Sequence, residues 1–189
     1  MGQYYFTVAS LPMLFYGGDE GPDTETFLDI CRESCSSEDF RLVESATLKP
    51  ASAGREGNRL LNRWVSWETS LRNALVMARA KEGGRDPSSN LREENSFYTE
   101  INDIAREACG QASPLQAEEI LNQARWARFE ELETGHHFDT EKLMVYYLKL
   151  QLNERRAMFT KQAGEEKFSH IYESMHEIEN SRETVAGEL

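Results

Sequence analysis

The chain has 189 residues, 39% of them hydrophobic, with 21 Lys and Arg against 33 Asp and Glu for a formal net charge of −12. That length accommodates one helical domain with a sizeable core. The charge excludes a nucleic-acid binder that works through phosphate contacts, and a protein adsorbed on anionic lipid.

The N-terminal run MGQYYFTVASLPMLFYGGDEG is apolar but does not read as an export signal. No Lys or Arg precedes Arg32, Pro12 interrupts the run, and Gly17, Gly18, Asp19 and Glu20 end it. It is also shorter than the ~20 apolar residues a membrane-spanning helix needs. We expect this segment to be the first element of a helical body, buried against the rest of the chain.

In DTETFLDICRES, Asp23 is placed to cap a helix, with Phe27, Ile30 and Cys31 at helical spacing. SSEDFRLVESA restarts a helix behind Ser36 or Ser37. Leu48 to Asn58 contains Pro50, Gly54 and Gly57, and marks a loop and internal boundary at 48–58. NRLLNRWVSWETSLRNALVMARAKEGG predicts a long helix with Leu60, Trp64, Trp67, Leu71 and Leu75 on one stripe, stopped at Gly83 and Gly84. Arg85 to Asn90 is a loop. FYTEINDIAREACG places Phe97, Ile101, Ile104 and Ala108 on one face and ends at Gly110.

The clearest boundaries follow. Ser113 as N-cap, Pro114 at the first helical position and Gln116 in a capping box start a helix that ends at Gly135. Asp139 starts the next, which should bury Leu143, Tyr146, Tyr147 and Leu150 and run to Gly164. A last helix carries Phe168, Ile171, Tyr172, Met175 and Ile178, and residues 181–189 form a frayed tail. The expected class is all-α, an irregular bundle of about six to eight helices in a single domain over 1–189.

Chemistry-bearing patterns are sparse. Cys31, Cys35 and Cys109 are odd in number and read as reduced, half-buried thiols. Glu173 and His176 form an E-x-x-H, and Glu133 and His136 repeat it, the spacing used in dinuclear carboxylate bundles. Glu173 and His176 lie beside the apolar stripe, however, and the other pair straddles Gly135. His136 and His137 fall in a turn. Glu118, Glu119, Glu130, Glu131 and Glu133 read as a solvated helix face, and Trp64, Trp67, Trp126, Tyr146 and Tyr147 as core. There is no nucleophile elbow, P-loop, zinc-protease or dinucleotide motif. We therefore assign no catalytic, cofactor-binding or metal residue, and expect no cofactor and no enzyme.

QYYFTVASLPML followed by TFLDICRESCSSEDFRLVE resembles a small bacterial family of unknown function encoded with V/A-type rotary ATPase proteins. That family is similar to a shortened form of the enzyme's C-type funnel protein (its d-type counterpart in eukaryotes), the helical piece between central stalk and membrane ring. Tyr4 to Leu14 and Phe27 to Leu42 look like the Tyr-rich and Leu-rich acidic opening helices of the funnel protein, and Trp67 to Ala80 fits its middle helices. YYLKLQLNERR resembles its Tyr-Leu-x-x-Lys-x-x-Glu-x-Arg-Asn stretch through Tyr147, Leu148, Lys149, Glu154 and Arg156, with Ala157 where Asn is usual. The funnel protein is longer and built from three helical domains, so this chain supplies part of that shape.

The resemblance implies a non-catalytic structural subunit or assembly factor, coupling the central stalk to the membrane ring through protein contacts. It also implies a cytoplasmic location peripheral to the inner membrane, without insertion. Its contact tips would be Ala51 to Gly57, Gly83 to Asn90 and the His136-His137 turn. A generic helical adaptor, or a dinuclear metalloenzyme using Glu133, His136, Glu173 and His176, are the alternatives.

Overall fold

The computed structural model describes residues 3–49, 58–93, 96 and 98–159. These form seven α-helices and one 3-10 turn, with no strand among the described residues, so the expected all-α class holds. The helices are α1 (Tyr5–Ser10), α2 (Thr24–Ser34), α3 (Ser37–Ser45), α4 (Arg59–Gly83), α5 (Ile101–Cys109), α6 (Pro114–Glu133) and α7 (Thr140–Met158). Pro50 to Gly57, Phe97, the expected last helix with Glu173 and His176, and the tail at 181–189 lie outside the described residues. Met1–Glu154 is one compact unit and Arg155–Leu189 a second. The core described here is that of the first.

Capping chemistry sets most of the boundaries. The Asp23 carboxylate accepts the Thr26 N–H at 2.7 Å and opens α2. Ser36 Oγ accepts from the Asp39 N–H at 3.2 Å and donates back to the Asp39 carboxylate at 2.9 Å, opening α3. Asn58 Oδ1 takes the N–H groups of Leu60 and Leu61 at 2.8 and 3.2 Å, and α4 ends at Gly84 in the left-handed region, φ +61°. Two starts differ from expectation. Ser113 makes no side-chain cap bond, so the capping box with Gln116 does not form; Pro114, with no N–H, leaves that first turn one donor fewer to satisfy. Helix α5 begins at Ile101 because the residues before it are engaged by α4 instead. Tyr98 Oη donates to Ser66 at 3.2 Å, and Glu100 accepts the Trp67 indole N–H, also at 3.2 Å.

The α4 stripe packs as its spacing requires. Leu60, Trp64, Trp67, Leu71 and Leu75 are all buried, with Trp64 stacked 5.9 Å from Trp67 and 4.8 Å from the Phe129 ring of α6. Helix α7 is different, because it is enclosed on several faces. Leu143, Met144, Val145, Tyr146, Leu148, Leu150 and Leu152 are buried, as are Thr140, Glu141 and Lys149. A helix buried on several faces is enclosed by the rest of the unit, and the polar side chains on those faces need partners there. Phe27 of α2 lies 5.1 Å from Tyr146 and 5.8 Å from Tyr147, although Tyr147 is only half-buried rather than buried as expected.

The N-terminal segment corrects a second expectation. Tyr4 and Leu14 are buried, whereas Tyr5, Phe6, Met13 and Phe15 are exposed. The six-residue helix α1 buries none of its own residues; the buried Tyr4 is its N-cap, and the Tyr4 hydroxyl reaches Asp39 of α3. The loop beyond it passes close to the core at Gly21, where φ is +113° and a Cβ would sit 2.7 Å from Leu14.

A charged cluster is sealed inside. Glu68 of α4 is fully buried and accepts from Arg125 of α6 at 3.1 and 3.3 Å and from Arg72 at 2.8 Å. Arg125 also reaches Asn122 and Glu118, and Arg72 reaches the Leu48 carbonyl. Removing one member of a buried ion pair leaves the other charge stranded, which costs about 3–5 kcal/mol. Urea unfolding of Glu68→Ala should show a loss in that range, and a loss below about 1 kcal/mol would mean the cluster contributes little to stability.

Candidate functional site

The turn between α6 and α7 is built on Gly135, whose φ of +88° reverses the chain. The His136 N–H returns to the Glu133 carbonyl at 2.9 Å, and Asp139 Oδ1 accepts the Lys142 N–H at 3.0 Å to start α7. His136 Nδ1 and Asp139 Oδ2 lie 2.7 Å apart. The turn is tied to the N-terminus: the Tyr4 N–H donates to the Phe138 carbonyl, and Asp39 accepts from both Tyr4 Oη and Thr140 Oγ1. Burial raises the Asp39 carboxyl, but hydrogen bonds from Tyr4, Thr140 and Ser36 outweigh it and hold it below the ordinary range.

This scaffold displays aromatic surface. The Tyr5 ring is 4.7 Å from Phe138 and 5.7 Å from Phe6, and the three are 56%, 40% and 87% exposed in the order Tyr5, Phe138, Phe6. Contiguous exposed rings on a polar protein are the material of protein interfaces.

A second surface lies at the far end of α4. A cleft of roughly 520 Å³ is lined by Arg72, Leu75, Val76, Arg79 and Ala80 of α4, and by Arg85, Asp86, Pro87, Asn90 and Arg92 beyond it. Asp86 is engaged by the Ser88 hydroxyl and N–H, which lower its pKa. Arg72 is committed to Glu68. Arg79, Arg85 and Arg92 have no ion-pair partner among the described residues. Three guanidinium groups around one cleft present donors suited to carboxylates on a partner. In a chain of charge −12 this is a local reversal of sign. The two surfaces stand at opposite ends of α4, since Asn58 at its start donates to Glu141 of α7 at 3.3 Å, next to the turn. A helix of 25 residues spans about 37 Å.

The residues singled out by pattern fall as follows. Glu133 is not on a solvated face: it is half-buried and held by Lys142 and by Lys149, the latter at 2.6 Å, while Lys149 also lies over the Trp126 ring. His136 pairs with Asp139 instead. Trp64, Trp67, Trp126 and Tyr146 are core. The three cysteines are free, and burial pushes the Cys31 thiol up to about 12, which leaves it unreactive as a nucleophile. Pattern reasoning missed Glu68 and Arg125, because their pairing joins positions 57 residues apart. It also missed the arginine cleft, for which the spacing of Arg72 and Arg79 on one helix was a signal.

Glu133 sets an acid limit on stability. Burial raises its carboxyl, but the hydrogen bonds and charges of Lys142 and Lys149 outweigh this and hold it below the ordinary Glu range. A carboxylate depressed in the folded state stabilises above its unfolded pKa, and that contribution is lost as pH falls through the folded value. Glu133→Gln should therefore be less stable than the native chain at pH 7, with the gap closing as pH drops below the Glu range. Urea midpoints measured across that range would show it, and a constant gap would refute the assignment.

A family model described as a protein of unknown function, DUF2764, matches residues 98–178, less than half of the chain. The match takes in α5, α6, the turn and α7, and leaves out helices α1 to α4. No curated protein and no solved structure matches.

Proposed function

We propose that this chain is a non-catalytic structural subunit or assembly factor of a bacterial V/A-type rotary ATP synthase, coupling central stalk to membrane ring through protein contacts. The observation that carries the coupling role is the placement of two exposed surfaces of unlike chemistry at opposite ends of α4. One is the aromatic cluster of Tyr5, Phe6 and Phe138, and the other the cleft of Arg79, Arg85 and Arg92. A body that links two partners needs two such surfaces, held rigidly apart. The buried Glu68 cluster and the packing of Trp64 of α4 on Phe129 of α6 supply that rigidity. The choice of the rotary ATP synthase rests on the likeness of the opening helices and of Tyr146 to Arg156 to its C-type funnel protein. On this reading the protein works at the cytoplasmic side of the membrane, in keeping with the finding that no described helix is long and apolar enough to cross it.

Affinity purification of the full chain from native membranes, followed by mass spectrometry, tests the proposal. Catalytic, stalk and ring subunits in fixed ratio are the expected result. Recovery of the chain alone, or with unrelated helical partners, would replace this reading with a general adaptor. Phe6→Ala with Phe138→Ala should weaken one attachment by about thirtyfold, the scale of a ~2 kcal/mol hot-spot loss, while leaving the other end engaged.

A further inference from the structure

The α6–α7 turn holds a feature that the aromatic surface does not use. One ligating atom each from His136, Asp139 and Glu141 lies within 4.8 Å of the other two. Glu141 is only 4% exposed; its Oε1 takes a single long bond from the Asn58 amide at 3.3 Å, and its Oε2 is buried with no hydrogen-bond partner among the described residues. A buried carboxylate oxygen with nothing to accept is a costly arrangement in a folded protein.

Among the described residues, no neighbouring side chain supplies the missing charge. Lys142 and Lys149 are both turned to Glu133, and Asn58 is neutral. Thr140, between Asp139 and Glu141, is bonded to yet another carboxylate, Asp39. The positive end of α7 offers about half a charge to this group of acids.

We propose that His136, Asp139 and Glu141 bind a divalent transition cation, with solvent completing its shell. One imidazole nitrogen with two carboxylate oxygens suits Zn²⁺ or Mn²⁺, whereas Mg²⁺ and Ca²⁺ favour oxygen-only sets. Bonds of about 2.0–2.2 Å in tetrahedral geometry require the ligand atoms to draw in to about 3.4 Å. His136 and Asp139 are half-buried on a turn and can close onto the fixed Glu141, exchanging their mutual hydrogen bond for bonds to the ion. Bound there, the ion staples the turn to the start of α7 and fixes the backbone that carries Phe138.

The test is calorimetric titration of the full-length chain, purified without a polyhistidine tag and stripped with chelator, against ZnCl₂ and MnCl₂, with MgCl₂ as control. The expected result is one equivalent of Zn²⁺ or Mn²⁺ bound, with a raised Tm. His136→Ala and Glu141→Gln should each weaken binding at least about tenfold, and His137→Ala should leave it unchanged. Should Glu141→Gln fail to fold, the contrast between the two histidine variants decides. Failure of the native chain to bind either metal, or binding lost with His137→Ala and kept with His136→Ala, would overturn the proposal.

Discussion

Enclosing α7 is the constraint on which the rest of the first unit depends. A helix with buried positions around its circumference needs partners for the polar groups it carries, and those it finds come from most of the first unit. Tyr146 donates to the Pro12 carbonyl, Gln151 to that of Ala46 and Asn153 to that of Phe15. Glu154 accepts from the Thr24 N–H and hydroxyl at the start of α2, and Lys149 is met by Glu133 and Trp126 of α6. The segments around α7 are thus positioned by specific bonds as well as by apolar contact, which explains how a chain with long connecting stretches holds one arrangement.

Local rules made much of this legible. Asp23, Ser36, Gly84 and Asp139 act where cap chemistry puts them, and the α4 stripe is buried as its period demands. These features depend on residues within one turn of each other. What stayed hidden depends on distance along the chain. Glu68 and Arg72 look like an ordinary surface pair at i, i+4 until Arg125 closes over them, and Glu133 looks solvated until α7 brings two lysines to it. The N-terminal aromatics misled in the opposite sense: apolar composition implied burial, while the short α1 buries none of its residues and Phe15 beyond it is exposed as well. The candidate surfaces were therefore less legible than the fold, since the aromatic one joins positions 5 and 138 and the cleft needs the segment after α4 to fold back along that helix.

Charge is distributed with similar economy of place. The acidic excess keeps most of the surface repulsive towards other acidic proteins, while the cleft at the end of α4 gathers Arg79, Arg85 and Arg92, which have no ion-pair partner among the described residues. Contrast of this kind favours orientation: a partner with carboxylates is drawn to one end of the body, and one with an apolar groove to the other. On the proposed function, the pairing of an electrostatic and an aromatic surface lets chemistry alone distinguish the two attachments.

Cys31 carries a kinetic consequence. Its sulfur is fully buried on α2, the helix whose Phe27 rests on the α7 tyrosines, and its thiol stays protonated at neutral pH. Reaction with any thiol reagent therefore waits for α2 to lift away. The rate at which this one side chain is modified becomes a clock for that local opening, reporting how often the shell around α7 comes apart while the rest of the molecule remains folded.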